Sequence, residues 1–158
     1  MEDVSLDAYL DMIARKTAVL IEMACELGGM AAEADKESIK TLKEYGYALG
    51  MGFQIQDDYL DITADETRLG KKIGSDLQMH KKTILTILLK ELTKSNEFFD
   101  LSLPDFKKIM EEYQVPDRVN SMYTDYFKTA YEKIAQLPSN DHALHLKDLT
   151  DFLKNRSW

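Results

Sequence analysis

Apolar side chains recur every three or four residues along most of the chain, the spacing of helices that bury one face. Leu6, Tyr9, Ile13, Leu20, Ile21 and Leu27 predict a helix from Ser5, a suitable N-cap, to about Leu27, with Gly28-Gly29 as its stop. A second long helix is predicted from Asp35 or Lys36 to about Ile62, with Ile39, Leu42, Gly46, Leu49 and Phe53 on its inner edge. The stretch 64–80 reads as a loop. It is longer than most connections in compact domains, which favours a functional role. Lys81 to Lys94 predicts a core helix rich in Ile and Leu. Ser102-Leu103-Pro104 opens a short helix to Tyr113, Val115-Pro116 opens one reaching Ile134, and the last runs from Asp141 to Lys154. No alternating β-branched run is present, so the fold class is all-α, a single helical domain over residues 1–158.

Within the second helix, Gly46, Gly50 and Gly52 each cost up to about 1 kcal/mol relative to alanine. They predict either a closely packed neighbour or room for a ligand. The face they form, and a stripe through Leu20 and Ile21, are the surfaces expected to drive self-association.

The end of that helix changes the picture from packing to chemistry. Asp57 and Asp61 stand one helical turn apart with Asp58 beside them, after the apolar positions Leu49 and Phe53. Two carboxylates ~6 Å apart at an effective dielectric of ~20 repel by roughly 3 kcal/mol, so a cation or protons must relieve them. All-oxygen ligation with no nearby Cys or His suits Mg²⁺, which takes one or two carboxylates and keeps room for water and phosphate. Gly70-Lys71-Lys72-Ile73-Gly74-Ser75-Asp76 and Lys81-Lys82-Thr83 follow, bringing lysines suited to phosphate and glycines that permit close backbone approach. Together these residues read as a magnesium–diphosphate anchor.

Composition narrows the alternatives. The 158 residues are 44% hydrophobic and 30% charged, the profile of a globular domain. A net charge of −8 disfavours a nucleic-acid surface but leaves room for phosphate at the local lysine cluster. No apolar run reaches transmembrane length and no signal-peptide pattern opens the sequence, so the expected compartment is the cytosol. Cys25 is alone, which excludes a disulfide framework. Lys16 at the edge of the first apolar stripe reads on its own as a snorkelling side chain, and His142 and His145 as ordinary surface or packing residues.

The stretch Gly52-Phe53-Gln54-Ile55-Gln56-Asp57-Asp58-Tyr59-Leu60-Asp61 resembles the second aspartate-rich motif of the trans-isoprenyl diphosphate synthases (polyprenyl synthetases). Lys16-Thr17 upstream and Gly70-Lys71, Gly74, Asp76 and Lys81-x-Thr83 downstream follow the family's order and spacing; His80 stands where the family usually has Gly, and Thr86 near its common Pro. The resemblance implies a helical bundle about twice this length, usually a homodimer, that joins an allylic diphosphate to isopentenyl diphosphate with Mg²⁺. It also implies that Asp57, Asp58 and Asp61 serve the metal, Asp57 foremost, and that Lys16, Lys71 and Lys81 contact diphosphate. Thr17 and Gln54 would lie beside the reacting carbon, and Phe53 would line the isopentenyl pocket. No other DDxxD occurs in these 158 residues, so the family's first aspartate-rich motif is absent. The chain therefore reads as the C-terminal half of a synthase, inactive alone, forming homo-oligomers or completed by a missing N-terminal half. A non-catalytic helical partner that regulates a complete synthase, and a terpene cyclase relative, are the alternatives.

Overall fold

The structure, a computed structural model, describes residues 4–63 and 75–156. Helix α1 covers Leu6–Ile13, a π-helical turn spans Ala14–Ala18, and α2 covers Val19–Ala31. They are followed by α3 (Lys36–Thr63), α4 (Ser75–Gln78), α5 (Ile84–Thr93), a 3₁₀ turn (Glu97–Asp100), α6 (Leu103–Glu112), α7 (Val115–Ile134) and α8 (Asp141–Lys154). No strand occurs among the described residues, as the periodicity implies.

Several boundaries differ from the sequence expectation, each for a local reason. The first predicted helix is interrupted by the π turn, where the Val19 N–H reaches back to the Ala14 carbonyl. Gly28-Gly29 does not stop α2. The helix continues to Ala31 and the chain turns at Glu33, whose φ of 53° is left-handed. Gly29 instead lies under Leu42 and Ile39, where an added Cβ would fall 2.9 Å from Leu42 Cδ1. α5 begins at Ile84 rather than Lys81, because Thr83 is extended and His80 turns the chain at φ 50°. That left-handed turn is one a glycine adopts without strain. The N-cap at Ser102, accepting from the Asp105 N–H, and the cap at Asn140, accepting from the Ala143 N–H, match the sequence breaks.

The described residues divide into two compact units, one holding residues 4–10 and Ile55–Ser121, the other Asp11–Gln54 and Met122–Arg156. In the first, α5 is central: Ile84 through Leu89 are all buried. Phe98, Phe106, Met110, Val115 and Val119 are buried too, and Phe98 packs on Phe106 with ring centroids 6.0 Å apart.

The second unit is built on α3. Tyr45, Ala48, Leu49, Phe127, Ala130 and Ile134 form its core, with Ile21, Cys25 and Leu146 packed against them. The Tyr45 hydroxyl is paired inside that core with the Thr150 hydroxyl at 3.1 Å and the Leu146 carbonyl at 3.2 Å, so α8 is tied to α3 by polar as well as apolar contacts. Lys133 pairs with Glu44, and Tyr131 donates to Asp151.

The glycine face of α3 is not an open surface. A Cβ at Gly50 would lie 2.6 Å from Ala18 Cα, one at Gly46 2.8 Å from Glu22 Cα, and one at Gly52 3.3 Å from Tyr126 Cβ. The glycines let α2 and α7 close onto α3, so the first of the two alternatives for that face, a packed neighbour, is the correct one. Ile21 is likewise used within the core. Leu20 is different: with Met23, Leu27 and Met30 it forms a run in alternating steps of three and four, all four more than half exposed.

That stripe should make the chain self-associate. Light scattering is expected to give a mass above the monomer that falls with dilution, and Leu20→Glu with Leu27→Glu should return it to one chain. A parent that stays monomeric at all concentrations would count against the stripe as an adhesive surface.

Candidate functional site

Each unit carries part of the predicted constellation. In the second unit, Lys16 and Thr17 sit on the π turn, a distortion that frequently marks functional positions in helices. Lys16 is exposed and Thr17 half-buried. The Thr17 hydroxyl donates to Gln54 Oε1 at 2.9 Å, joining two residues 37 apart in sequence. With its hydrogen committed to Gln54, the Thr17 oxygen can offer only lone pairs to anything else. The bond follows from packing: Ala18 against Gly50 brings the turn close to α3, and Gln54 is one helical turn beyond Gly50.

Phe53 is held by a residue to which the sequence reading gave no role. Arg156 is only 8% exposed; its guanidinium lies 4.1 Å from the Phe53 ring centroid and donates to the Phe53 carbonyl at 3.0 Å. A guanidinium stacked on a ring while bonding its backbone fixes both orientation and distance.

In the first unit the three aspartates occupy different environments. Asp57 is exposed, and Asp58 and Asp61 are half-buried. The Tyr9 hydroxyl donates to Asp58 Oδ2 at 2.7 Å, and the backbone N–H of Asp76, in the first turn of α4, donates to Asp61 Oδ2 at 3.2 Å. Asp76 itself pairs with Lys81, whose ammonium is held above the usual lysine range, first by that hydrogen bond. Burial, then the charge of Asp58, pushes the Tyr9 phenol far above its ordinary range, so it stays a donor at any working pH. Tyr9 and Asp76 thus bond two acids of the predicted cluster, though the sequence reading gave neither a role of its own. Lys71, with Gly70, Lys72 and Gly74, lies outside the described residues.

Among the described residues no group of three Asp, Glu, His or Cys side chains is placed to hold a metal ion by itself. An open, one-sided set of carboxylates is what Mg²⁺ accepts when water and phosphate oxygens complete its shell, so the donors present fit that ion. His80 packs edge-on to Phe99 at 5.2 Å, a turn residue rather than part of the acid cluster. Burial raises the thiol of the half-buried Cys25 above its ordinary range, which disfavours the thiolate. No helix among the described residues is long and apolar enough to cross a membrane.

Comparison with known proteins bears on the family and the fold. The family model described as polyprenyl synthetase matches residues 1–115. The geranylfarnesyl diphosphate synthase of Natronomonas pharaonis is 34% identical over 162 residues, which cover 99% of this chain and 48% of the relative. The crystal structure of heptaprenyl diphosphate synthase from Staphylococcus aureus superposes with a TM-score of 0.87 at 29% identity, covering 98% of this chain and 52% of that one. A polyprenyl synthase from Caulobacter crescentus, crystallised with calcium and isoprenyl diphosphate, superposes with a TM-score of 0.84 at 29% identity over 99% of this chain and 51% of that one. The chain spans about half the length of the relatives it matches. A family match over residues 1–115, joined to a shared helical fold along nearly the whole chain, places it in the polyprenyl synthetase family, with a length and motif content consistent with the C-terminal half of a trans-isoprenyl diphosphate synthase.

Proposed function

We propose that this chain supplies one side of the active site of a prenyltransferase that condenses an allylic diphosphate with isopentenyl diphosphate. In that reaction the carbon–oxygen bond to the allylic diphosphate breaks with its electron pair leaving on the diphosphate. A carbon–carbon bond then forms, and the isopentenyl unit loses a proton. Asp57, Asp58 and Asp61 would hold Mg²⁺, with Asp57 as a direct ligand. Bound there, the metal would supply the Lewis acid that stabilises the departing diphosphate. Lys16, Lys71 and Lys81 would add counter-charge to its oxygens. Thr17 and Gln54, already bonded to each other, would turn oxygen lone pairs toward the positive charge developing on the allylic carbon. Phe53, braced by Arg156, would line the isopentenyl pocket.

The observation that carries this reading is the placement of the acids. Tyr9 and the Asp76 N–H donate to Asp58 and Asp61, and Asp57, one turn from Asp61, is solvent-exposed. The Caulobacter relative, crystallised with a divalent cation and an isoprenyl diphosphate, supports the same pairing of ligands.

Calorimetry with pyrophosphate tests it. The parent should bind weakly, and at least about tenfold more tightly with Mg²⁺ than without, a difference of ~1.4 kcal/mol. Asp57→Asn should remove most of that dependence, Lys71→Ala should weaken binding with or without metal, and Asp148→Asn on the exposed face of α8 should change little. Binding by Asp57→Asn equal to the parent's would place the anchor elsewhere.

A further inference from the structure

The Tyr9 hydroxyl is placed for more than packing. Tyr9 is 1% exposed, and its ring fills a core position that phenylalanine would fill equally well. The hydroxyl is what needs explaining, since a buried phenol is retained only where it has a partner. Its partner is the Asp58 carboxylate, 49 positions later in sequence, at the 2.7 Å expected of a hydrogen bond to a charged acceptor.

The chemistry of that donor matters. A lysine or arginine at this place would orient Asp58 but also cancel its charge, and the cluster would attract a cation less. A neutral phenol orients the carboxylate and leaves the charge of the cluster intact. It also takes one lone-pair site of Oδ2 and fixes the plane of the carboxylate. From this geometry we infer that Tyr9 is a positioning residue for the magnesium–diphosphate anchor, holding Asp58 in one orientation while Asp57 binds the ion directly. The inference rests on the proposed function of the Asp57/Asp58/Asp61 cluster and adds a residue to it.

The test is pyrophosphate calorimetry on the full 158-residue chain across a Mg²⁺ titration, with thermal unfolding measured alongside. Tyr9→Phe should weaken Mg²⁺-dependent pyrophosphate binding roughly tenfold, the scale of one hydrogen bond to a charged group, and raise the Mg²⁺ concentration needed for half effect. Metal-free binding should stay as in the parent. In an Asp58→Asn background the same substitution should add little, because its target has been altered. Tyr131→Phe is the matched control: it removes another tyrosine-to-aspartate bond, on Asp151, and should affect unfolding without moving the Mg²⁺ midpoint. If Tyr9→Phe lowers the unfolding temperature but leaves the Mg²⁺ midpoint unchanged while Asp57→Asn abolishes the dependence, Tyr9 is structural only and the inference fails alone. If neither the parent nor Asp57→Asn shows any Mg²⁺ dependence, the anchor itself fails and takes the inference with it.

Discussion

Purified alone, the 158-residue chain should transfer no prenyl group to radiolabelled isopentenyl diphosphate, whatever allylic co-substrate and Mg²⁺ concentration are supplied. The sequence holds a single aspartate-rich motif, Asp57-Asp58-x-x-Asp61, and the resemblance implies a second one facing it. In general, loss of even one preorganised charge-stabilising donor costs an active site about 10²–10³ in rate. Lacking a whole acid cluster and the walls that exclude water, the chain should fall below detection. Adding a separate polypeptide with the other aspartate-rich half of a relative should raise turnover from nothing to a measurable level. Robust turnover by the chain alone would show that one cluster suffices and overturn the half-site assignment.

The second large effect is on stability. Gly50→Ala should destabilise the protein by roughly 3 kcal/mol in denaturant unfolding, the upper range for an overpacked contact. The added Cβ would fall 2.6 Å from the Ala18 Cα and 3.1 Å from its Cβ, and a backbone atom cannot swing aside as a long side chain can. Helices α2 and α3 must separate, and with them the Thr17–Gln54 hydrogen bond. Gly28 supplies the opposite case, since nothing lies within 4 Å of the Cβ it lacks. Gly28→Ala should be neutral or stabilising by up to about 1 kcal/mol, from helix propensity alone. A Gly50→Ala protein as stable as the parent would mean that the two helices are free to move apart.

These two glycines mark how far the sequence could be read. Periodicity located the helices, because a one-sided apolar stripe is the main requirement for each, and the Ser102 and Asn140 caps have local side-chain signals. Gly28-Gly29 misled because glycine serves equally as a helix stop or as a contact surface; the choice is made by Leu42 and Ile39, which lie on another helix. The aspartate motif was legible from one-turn spacing and charge repulsion. The meeting of Thr17 with Gln54 depends on the α2–α3 crossing and entered the reading only through the family resemblance. Tyr9 was visible only as one more apolar-phase position. Its hydroxyl was a signal that a partner must exist, but Asp58 as that partner is tertiary information. Arg156 was similar: an arginine near the chain's end looks like a solvated tail until Phe53 is found beneath it.

The π turn at Ala14–Ala18 has an implication for how sequence changes should be interpreted. Its Val19-to-Ala14 hydrogen bond encloses one residue more than an ordinary helical turn, so the segment carries, in effect, a resident insertion. Removing any one residue between 14 and 18 would let the backbone relax into a regular helix, with little harm to local hydrogen bonding. The chain on either side would keep nearly the same phase, because the π turn has already absorbed the extra residue within a single turn. The loss would fall within the segment itself, where Thr17 reaches Gln54 from the widened turn. A one-residue deletion here should therefore cost less stability than one inside the regular helix α3, where it would turn every later helical residue by roughly 100° out of phase.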